Sequence, residues 1–482
     1  MKNKGQKWFL PAFLAIAVLA VAGCSCANKN VGKSSVDNVA DEDAFVRVSE
    51  DNPRYFCLSN GNTYIPVGCN LAALWNTELM EHYMEELHRN GGNFARVWLN
   101  SDFFEIEKEY GQWNEESIAH IDHLLELAGK YGIRIKMCIE SFRKILPGKN
   151  KWDTKASYHI SNGGPFQDMQ EYISSEQGRQ EYLKRLSFLQ NRYGDDPAVF
   201  GWELWNEMNA VEAGGIEKWN VEMLDTVHKM FPKNMVMQSL GSLDRESSFP
   251  VYEFINKLES NDVMQVHRYI DQGAELPICS ASIDQLSEDA VKHMLAYGEN
   301  KPVLLAECGA VMPSHSGPHV IYKKDFEGIV LHDFLFAPFF CGAAGPGHLW
   351  HWDHYIDKVD VWFQIGRFSN AIKGIDPIAE NFTPVTNHRE GLRVYTLNGE
   401  KHIISWCRDT ESTWQSELVN GIPAKELAGM SVDLGGTVNG RHIDKVEIYD
   451  PWNDKWTELA PYANVRLLPF KRSVIIKITL NY

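Results

Sequence analysis

Positive charge is scarce in this chain. Lys and Arg total 47 against 64 Asp and Glu, a net −17 over 482 residues, and a surface of that sign repels a phosphate backbone, which argues against a nucleic-acid partner. Metal-type cysteine spacing is missing too. None of the nine cysteines forms a CxxC pair, so the usual zinc signature is not there. No GxGxxG opens a helix after an early strand, which removes the fingerprint of a doubly wound dinucleotide-binding sheet. On these grounds neither a cofactor nor a metal is expected. What the chain does hold is apolar and aromatic: 44% hydrophobic residues, with 15 Trp, 18 Tyr and 23 Phe. That suffices for one large core and an accessory domain, and flat aromatic faces also suit clefts that bind sugars.

The amino terminus has the pattern of a targeting segment. MKNKGQK is basic, and the apolar run WFLPAFLAIAVLAVAG that follows falls short of the ~20 residues of a membrane-spanning helix. It ends at Cys24 within VAGC. This resembles a bacterial lipoprotein signal, which implies removal of residues 1–23 and lipidation of Cys24; an ordinary secretory signal with a chance cysteine is the alternative. By the same resemblance, Ser25 rather than Asp after that cysteine implies the outer membrane of the cell envelope. Residues 24–44 are polar without a periodic apolar face and read as a flexible tether. The cysteines beyond lie mostly inside apolar runs and read as buried thiols. Cys57 and Cys69 flank a turn at SNGN and could pair.

From residue 64 onward, short apolar runs alternate with amphipathic stretches. YIPVGCN, NFARVWL, IRIKMCIE, VFGWELWNE, MVMQSLG, VMQVHRY, PVLLAECG and GAAGPGHLWHW make eight candidate strands. NEESIAHIDHLLELAGKYG predicts a helix capped by Asn114, with Ile118, Ile121, Leu124, Leu125 and Ala128 as its buried stripe. SEQGRQEYLKRLSFLQNRYG predicts another, capped by Ser175. Eight strand–helix units predict an α/β fold, a (β/α)8 TIM barrel over residues 45–376. The long connection from Arg143 to Tyr172, with Trp152, Tyr158 and Phe166, has the length of a functional loop. After about Pro377 the helical signal stops, and LRVYTLN, KHIISWCRD, DKVEIYDPW and RSVIIKITL alternate with period two, predicting a C-terminal antiparallel β-sandwich domain over residues 377–482. That domain is expected to pack on the barrel; glycan binding is the other possibility.

Barrel enzymes carry their chemistry where strands end. The fourth candidate strand ends on Asn206 and Glu207, and the seventh, Val303–Ala306, runs into Glu307. Two acids at such positions are costly to desolvate and suit paired proton transfer and nucleophilic attack. WNE at the fourth strand, PVLLAEC at the seventh and HRY at the sixth, with the two acids 100 residues apart, resemble the clan A retaining glycoside hydrolases, most closely glycoside hydrolase family 5 and its cellulase- and mannanase-like members. The resemblance spans roughly residues 55–374. It implies a carbohydrate substrate, with Glu207 as acid/base and Glu307 as nucleophile, Arg96 and Tyr269 supporting Glu307, and His267 lining the cleft. It further implies Asn206 on the sugar 2-hydroxyl and Trp350 or Trp352 as a platform beneath the sugar, with Asp353 and His354 shaping the same subsite.

The chemistry agrees independently, because retention needs one carboxyl protonated and another ionised. Repulsion from Glu307 and the apolar neighbour Trp205 are expected to raise the pKa of Glu207. A bidentate guanidinium from Arg96 would suit Glu307, although Arg96 could instead pair with Glu203. The chain departs from the family pattern at Met208, where proline is frequent, and at Glu140-Ser141-Phe142-Arg143, where a histidine is common. The second departure predicts an extra ionisable pair at the cleft rim. His348, His351 and His354 are spaced three apart and could suggest metal ligands, but an aromatic-rich glycan loop explains them more simply. The expected activity is therefore a retaining β-glycosidase of a β-linked poly- or oligosaccharide, β-mannan or β-glucan favoured. The rivals are a surface glycan-binding lipoprotein without catalysis and a barrel metallohydrolase. The sequence leaves the oligomeric state unknown.

Overall fold

The computed structural model describes residues 39–147, 156–298 and 300–481. Seven strands run parallel in the barrel: β1 (Gly68–Asn70), β2 (Phe94–Trp98), β3 (Arg134–Glu140), β4 (Val199–Trp205), β5 (Met235–Met237), β6 (Met264–Ile270) and β7 (Val303–Met312). β1 to β5 pair in order, and β6 pairs with β7. Every residue of β2, β3, β4 and β6 is buried, as expected of strands covered by helices on one side and barrel interior on the other.

The eighth candidate strand is not a regular strand. Pro346 has no N–H to give, and a side chain at Gly347 would meet the carbonyl oxygen of Phe334 at 2.7 Å. The segment instead closes the barrel with single hydrogen bonds. The His348 and Trp350 N–H groups donate to the Leu305 and Cys308 carbonyls at 3.0 and 2.9 Å, and the Asn70 N–H donates to Leu349 O at 3.0 Å.

The helices around the barrel are α1 (Thr77–Arg89), α2 (Glu115–Tyr131), α3 (Met169–Ser174), α4 (Glu176–Tyr193), α5 (Ile216–Met230), α6 (Phe249–Lys257), α7 (Ile283–Leu295), α8 (Ile329–Phe340) and α9 (Phe363–Ala371). Asn114 and Ser175 cap α2 and α4, accepting from Ser117 N and Gly178 N at 2.9 and 3.0 Å, and the predicted stripe of α2 is buried. Among the described residues no helix is long and apolar enough to cross a membrane.

A short ribbon of strands Val46–Val48, Phe56–Leu58 and Thr63–Tyr64 plugs the amino-terminal mouth of the barrel. Phe56 packs edge-on against Phe200, which also meets Phe94. The last part of the expected tether is docked as well: Asp41–Asp43 forms a helical turn, and Arg134 donates to the carbonyl oxygens of Asp41 and Glu42. Cys57 in the ribbon and Cys69 in β1 are separate thiols, so the possible disulfide is not formed. Cys24, Trp152 and the remainder of the tether lie outside the described residues.

The carboxy-terminal strands are β8 (Thr383–Arg389), β9 (Leu392–Asn398), β10 (His402–Asp409), β11 (Ser431–Asp433), β12 (His442–Asp450), β13 (Lys455–Leu459), β14 (Asn464–Arg466) and β15 (Ser473–Asn481). Six form an antiparallel sheet in the order β8-β9-β10-β15-β12-β13, and β11 pairs with β14 as a second layer. One face of the large sheet, with Leu392, Val394 and Ile403, packs on Val432 and Val465 of that second layer. The opposite face, with Tyr395, Ile404 and Trp406, belongs to the barrel core.

Helix α8 explains the join. IVLHDFLFAPFF is buried at every position, and a helix with apolar residues on every side, its His332 and Asp333 paired inside, needs cover all round. Two buried ion pairs pin the contact: Arg408 to Asp333 at 3.0 Å, and Arg393 to Asp284.

Candidate active site

Strand β4 carries the chain to Asn206 and then to Glu207, whose φ of 51° and ψ of 52° are left-handed. Such a conformation is strained for a residue with a side chain. The Glu207 N–H donates to Ser239 Oγ at 3.1 Å, which pins the turn. Glu307 does not end its strand, as the sequence suggested, because β7 runs on to Met312 and pairs there with Ser316–Pro318. What aims Glu307 is an irregularity: the β6–β7 register shifts between Leu305 and Glu307, and bulges of this kind redirect a side chain. A carboxylate oxygen of Glu207, one of Glu307 and a ring nitrogen of His267 all lie within 4.8 Å of one another.

Arg96 is the hub beneath them, and it is fully buried. Its Nη1 donates to Glu307 Oε1 at 2.5 Å and to Asn70 Oδ1 at 3.0 Å, while Nη2 donates to Asn206 Oδ1 at 2.7 Å. The bidentate contact expected at Glu307 is made to Glu203 instead, by Nε and Nη2 at 2.8 and 2.7 Å. Arg96 therefore serves both of the acids the sequence offered it. Lys136 reaches Glu203 at 3.0 Å. Glu203 is held well below the usual carboxylate range: burial would raise it, but the charges of Arg96 and Lys136 overcome that.

Tyr269 donates its hydroxyl to Glu307 Oε2 at 2.8 Å. His267 is buried behind the carboxylates rather than lining the cleft; its Nδ1 is 3.2 Å from Glu207 Oε1 and 3.4 Å from Glu307 Oε2.

Arg143 was expected only as part of a rim pair. From the turn after the adjacent strand β3 it pairs directly with Glu207 Oε2. This reverses the expected electrostatics of Glu207. Burial would raise its carboxyl, but the hydrogen bond with His267 and the charge of Arg143 hold it down to about 2. The other half of the expected rim pair is not at the rim. Glu140 is buried, accepts from the Ser141 and Phe142 N–H groups at 2.8 and 3.1 Å and from Tyr158 Oη at 3.1 Å, and burial raises its carboxyl to about 7.

The cleft over the two glutamates has a volume of about 660 Å³. Trp350 lines it, and packs on Trp98 with ring centroids 5.0 Å apart. Trp352 does not. It begins a π-type turn, Trp352–Ile356, and is buried with its ring edge-on to Trp350. The strand parity that would have put both rings on one face fails because the second tryptophan is not in a strand. Asp353 and His354 pair with each other at 2.7 Å away from the cleft wall, which His351 joins in their place.

The three spaced histidines diverge. His348 faces Pro66 O, His351 faces Tyr322 Oη, and His354 faces Asp353. Two donor sets among the described residues have metal-like spacing: Glu207, His267 and Glu307, and Asp244, Asp271 and His315. In the first, guanidinium and phenol donors already occupy the carboxylate oxygens.

Sequence reasoning missed Ser239, Asn70 and Lys136. A lysine inside the apolar run IRIKMCIE was the one available signal, since a buried cation demands a buried partner.

The sequence profile of Cellulase (glycosyl hydrolase family 5) matches residues 58–330. A Kelch motif profile matches 434–461, which holds the β12–β13 hairpin of the six-stranded sheet. Mannan endo-1,4-beta-mannosidase 7 of Arabidopsis thaliana is 21% identical over 308 residues, covering 57% of this chain and 69% of its own. The putative mannan endo-1,4-beta-mannosidase 9 of Oryza sativa subsp. japonica is 25% identical over 292 residues, covering 56% and 70%. Among solved structures, a glycoside hydrolase family 5 protein from Bacteroides vulgatus superimposes with a TM-score of 0.59 at 14% identity, covering 90% of this chain and 93% of that one. The endo-beta-1,4-mannanase from Thermotoga petrophila gives 0.50 at 14%, covering 86% and 98%. At such identities the structures speak for the fold alone.

Proposed function

The chain belongs to glycosyl hydrolase family 5, and from that premise we propose that it is a retaining β-glycosidase cleaving a β-linked poly- or oligosaccharide by double displacement. The observation that carries this reading is the approach of carboxylate oxygens of Glu207 and Glu307 to within 4.8 Å. Retention works with carboxyl groups ~5–5.5 Å apart, whereas inversion leaves ~6.5–9.5 Å for a water molecule.

In the first half-reaction Glu307 attacks the anomeric carbon while Glu207 gives a proton to the departing glycosidic oxygen. Arg96 and Tyr269 hold the two oxygens of the nucleophile. Asn206 has its Oδ1 held by Arg96, so its amide N–H is the group left to donate to the sugar 2-hydroxyl. Trp350 is the platform beneath the ring. In the second half-reaction Glu307 is esterified and no longer repels Glu207, which takes a proton from water as that water releases the sugar.

A β-mannan is favoured over a β-glucan, since the plant relatives are mannan endo-1,4-beta-mannosidases. The test is hydrolysis of an activated aryl β-glycoside by the wild type and Glu307→Ala, followed by sizing of products from mannans and glucans. Unchanged rates in Glu307→Ala would sink the reading. Binding to glycan with no sugar released by the wild type would instead support a surface glycan-binding protein.

The reading extends to placement. Residues 1–23 act as a signal, Cys24 is the lipidated residue that anchors the chain to the cell envelope, residues 45–376 carry the chemistry, and residues 377–482 brace it. Incorporation of labelled palmitate by the wild type and its loss in Cys24→Ala checks the anchor.

A further inference from the structure

Two arginines touch the two acids of the cleft, and they differ in a way the mechanism does not use. Arg96 has no exposed surface and is tied by five hydrogen bonds to Glu203, Glu307, Asn70 and Asn206. It cannot leave without stranding a buried charge. The Arg143 side chain is 33% exposed, stands on the turn after β3 and lines the cleft. Water can solvate its guanidinium when the pair opens, whereas the Glu207 side chain is only 10% exposed, so opening favours the uncharged, protonated form of that carboxyl.

An acid that must deliver a proton cannot do so while a guanidinium holds its carboxylate. We propose that Arg143 is a positioning residue that clamps Glu207 in the empty cleft and must let it go before Glu207 can protonate a leaving group. The proposal rests on the glycosidase reading above.

The surroundings of Glu207 support it. His267 and Tyr269 face it from β6, Glu307 from β7, Arg143 from the turn after β3, and Tyr252 from α6 through its hydroxyl on the His267 N–H. Arg96 acts from β2 one step away, through Glu307 and Asn206. Of the cations among the described residues, Arg143 is the one that bonds Glu207 directly while open to the cleft. With Arg143 removed, Glu207 keeps its hydrogen bond with His267 but loses the guanidinium, and the like charge of Glu307 and the burial of the site then weigh towards the protonated carboxyl.

The experiment compares kcat/KM against pH for the wild type, Arg143→Gln and Arg143→Met, using aryl β-glycosides of poor and good leaving groups. Arg143→Met keeps the apolar stem should the glutamine variant fold badly, and melting curves verify folding. With a poor leaving group, the alkaline limb of kcat/KM, which reports the acid of the free enzyme, should move up by ~1–3 pH units in both variants. Just above the wild-type limb the variants should exceed the wild type ~10-fold or more. With a dinitrophenyl leaving group, which departs without a proton, the profiles should stay within ~3-fold of each other.

An unmoved limb overturns the proposal. So does a loss of rate by one factor at every pH and for every leaving group, which would mark Arg143 as a substrate-binding residue only. Both outcomes leave the glycosidase reading standing if Glu307→Ala remains inactive; a wild type without Glu307-dependent hydrolysis would fail that reading instead.

Discussion

At the scale of single residues, the two tryptophans after the barrel closure divide binding from stability. Trp350 faces the cleft, so Trp350→Ala should raise KM and lower kcat/KM by about 2- to 10-fold, the size of an aromatic stacking contribution of ~0.5–1.5 kcal/mol, with little change in melting temperature. Trp352 is 4% exposed, so Trp352→Ala should cost ~3–5 kcal/mol of stability in denaturant titrations. An exchange of these two phenotypes would refute the assignment of the platform.

Glu140 offers a second test. Its folded carboxyl keeps a proton to about pH 7, whereas an unfolded chain releases it near ~4.3. Its contribution is therefore fully present below ~4.3 and is lost as pH rises through about 7, up to ~4 kcal/mol in all. Glu140→Gln should remove that dependence, so its melting temperature between pH 4 and 8 should gain on the wild type as pH rises. Parallel curves would contradict it.

Glu207, Glu307 and Arg96 were legible in sequence because charge inside an apolar run is rare and expensive. Arg143 was legible as an oddity but not as a partner of Glu207, since its reach depends on how the irregular turn after β3 folds beside the end of β4. The sign of the Glu207 shift is not legible in sequence for that reason: the neighbouring acid is visible there, whereas the hydrogen bond from His267 and the charge of Arg143 that outweigh it depend on the fold.

At the scale of elements, the barrel is least regular where it closes. Asn70 lies at that seam, donating Nδ2 to His348 O at 2.9 Å and to Ala306 O at 3.2 Å while its Oδ1 accepts from Arg96. Asn70→Ala strands buried carbonyls and part of a guanidinium, which costs ~1–3 kcal/mol for each unsatisfied group. It should lower the melting temperature and, by loosening Arg96, reduce kcat more than KM rises. A stable variant with only KM altered would show that the seam and the site are uncoupled.

The sequence marked seven of the eight barrel strands because they are short apolar runs of near-uniform burial. It overstated the eighth, where GAAGPG offers apolar surface but too few donors and too little room for a ladder. The caps at Asn114 and Ser175 were legible because they are local, needing only a side-chain oxygen and the next turn.

At the scale of the whole molecule, four of the carboxy-terminal strands, β9, β10, β12 and β15, were visible through their alternation; the edge strands β8 and β13, whose burial never exceeds intermediate, and the short pair β11 and β14 were not. Sequence could not say which sheet face would meet the barrel, since both faces of β9 and β10 carry apolar residues. The structure uses both. Arg408→Ala leaves Asp333 buried without its partner, a loss of ~3–5 kcal/mol. Removing residues 377–482 should leave the barrel insoluble or unfolded rather than merely less active. Soluble expression of residues 39–376 with a cooperative melt would show the reverse.

Helix α8 has no watered side. A segment buried around its full circumference has no outside to show, so the sheet that wraps it is a wall of the enzyme rather than a passenger on it. A relative that exchanged this sheet for another module would have to bring an equally oily lid, or repaint half of the helix with polar residues.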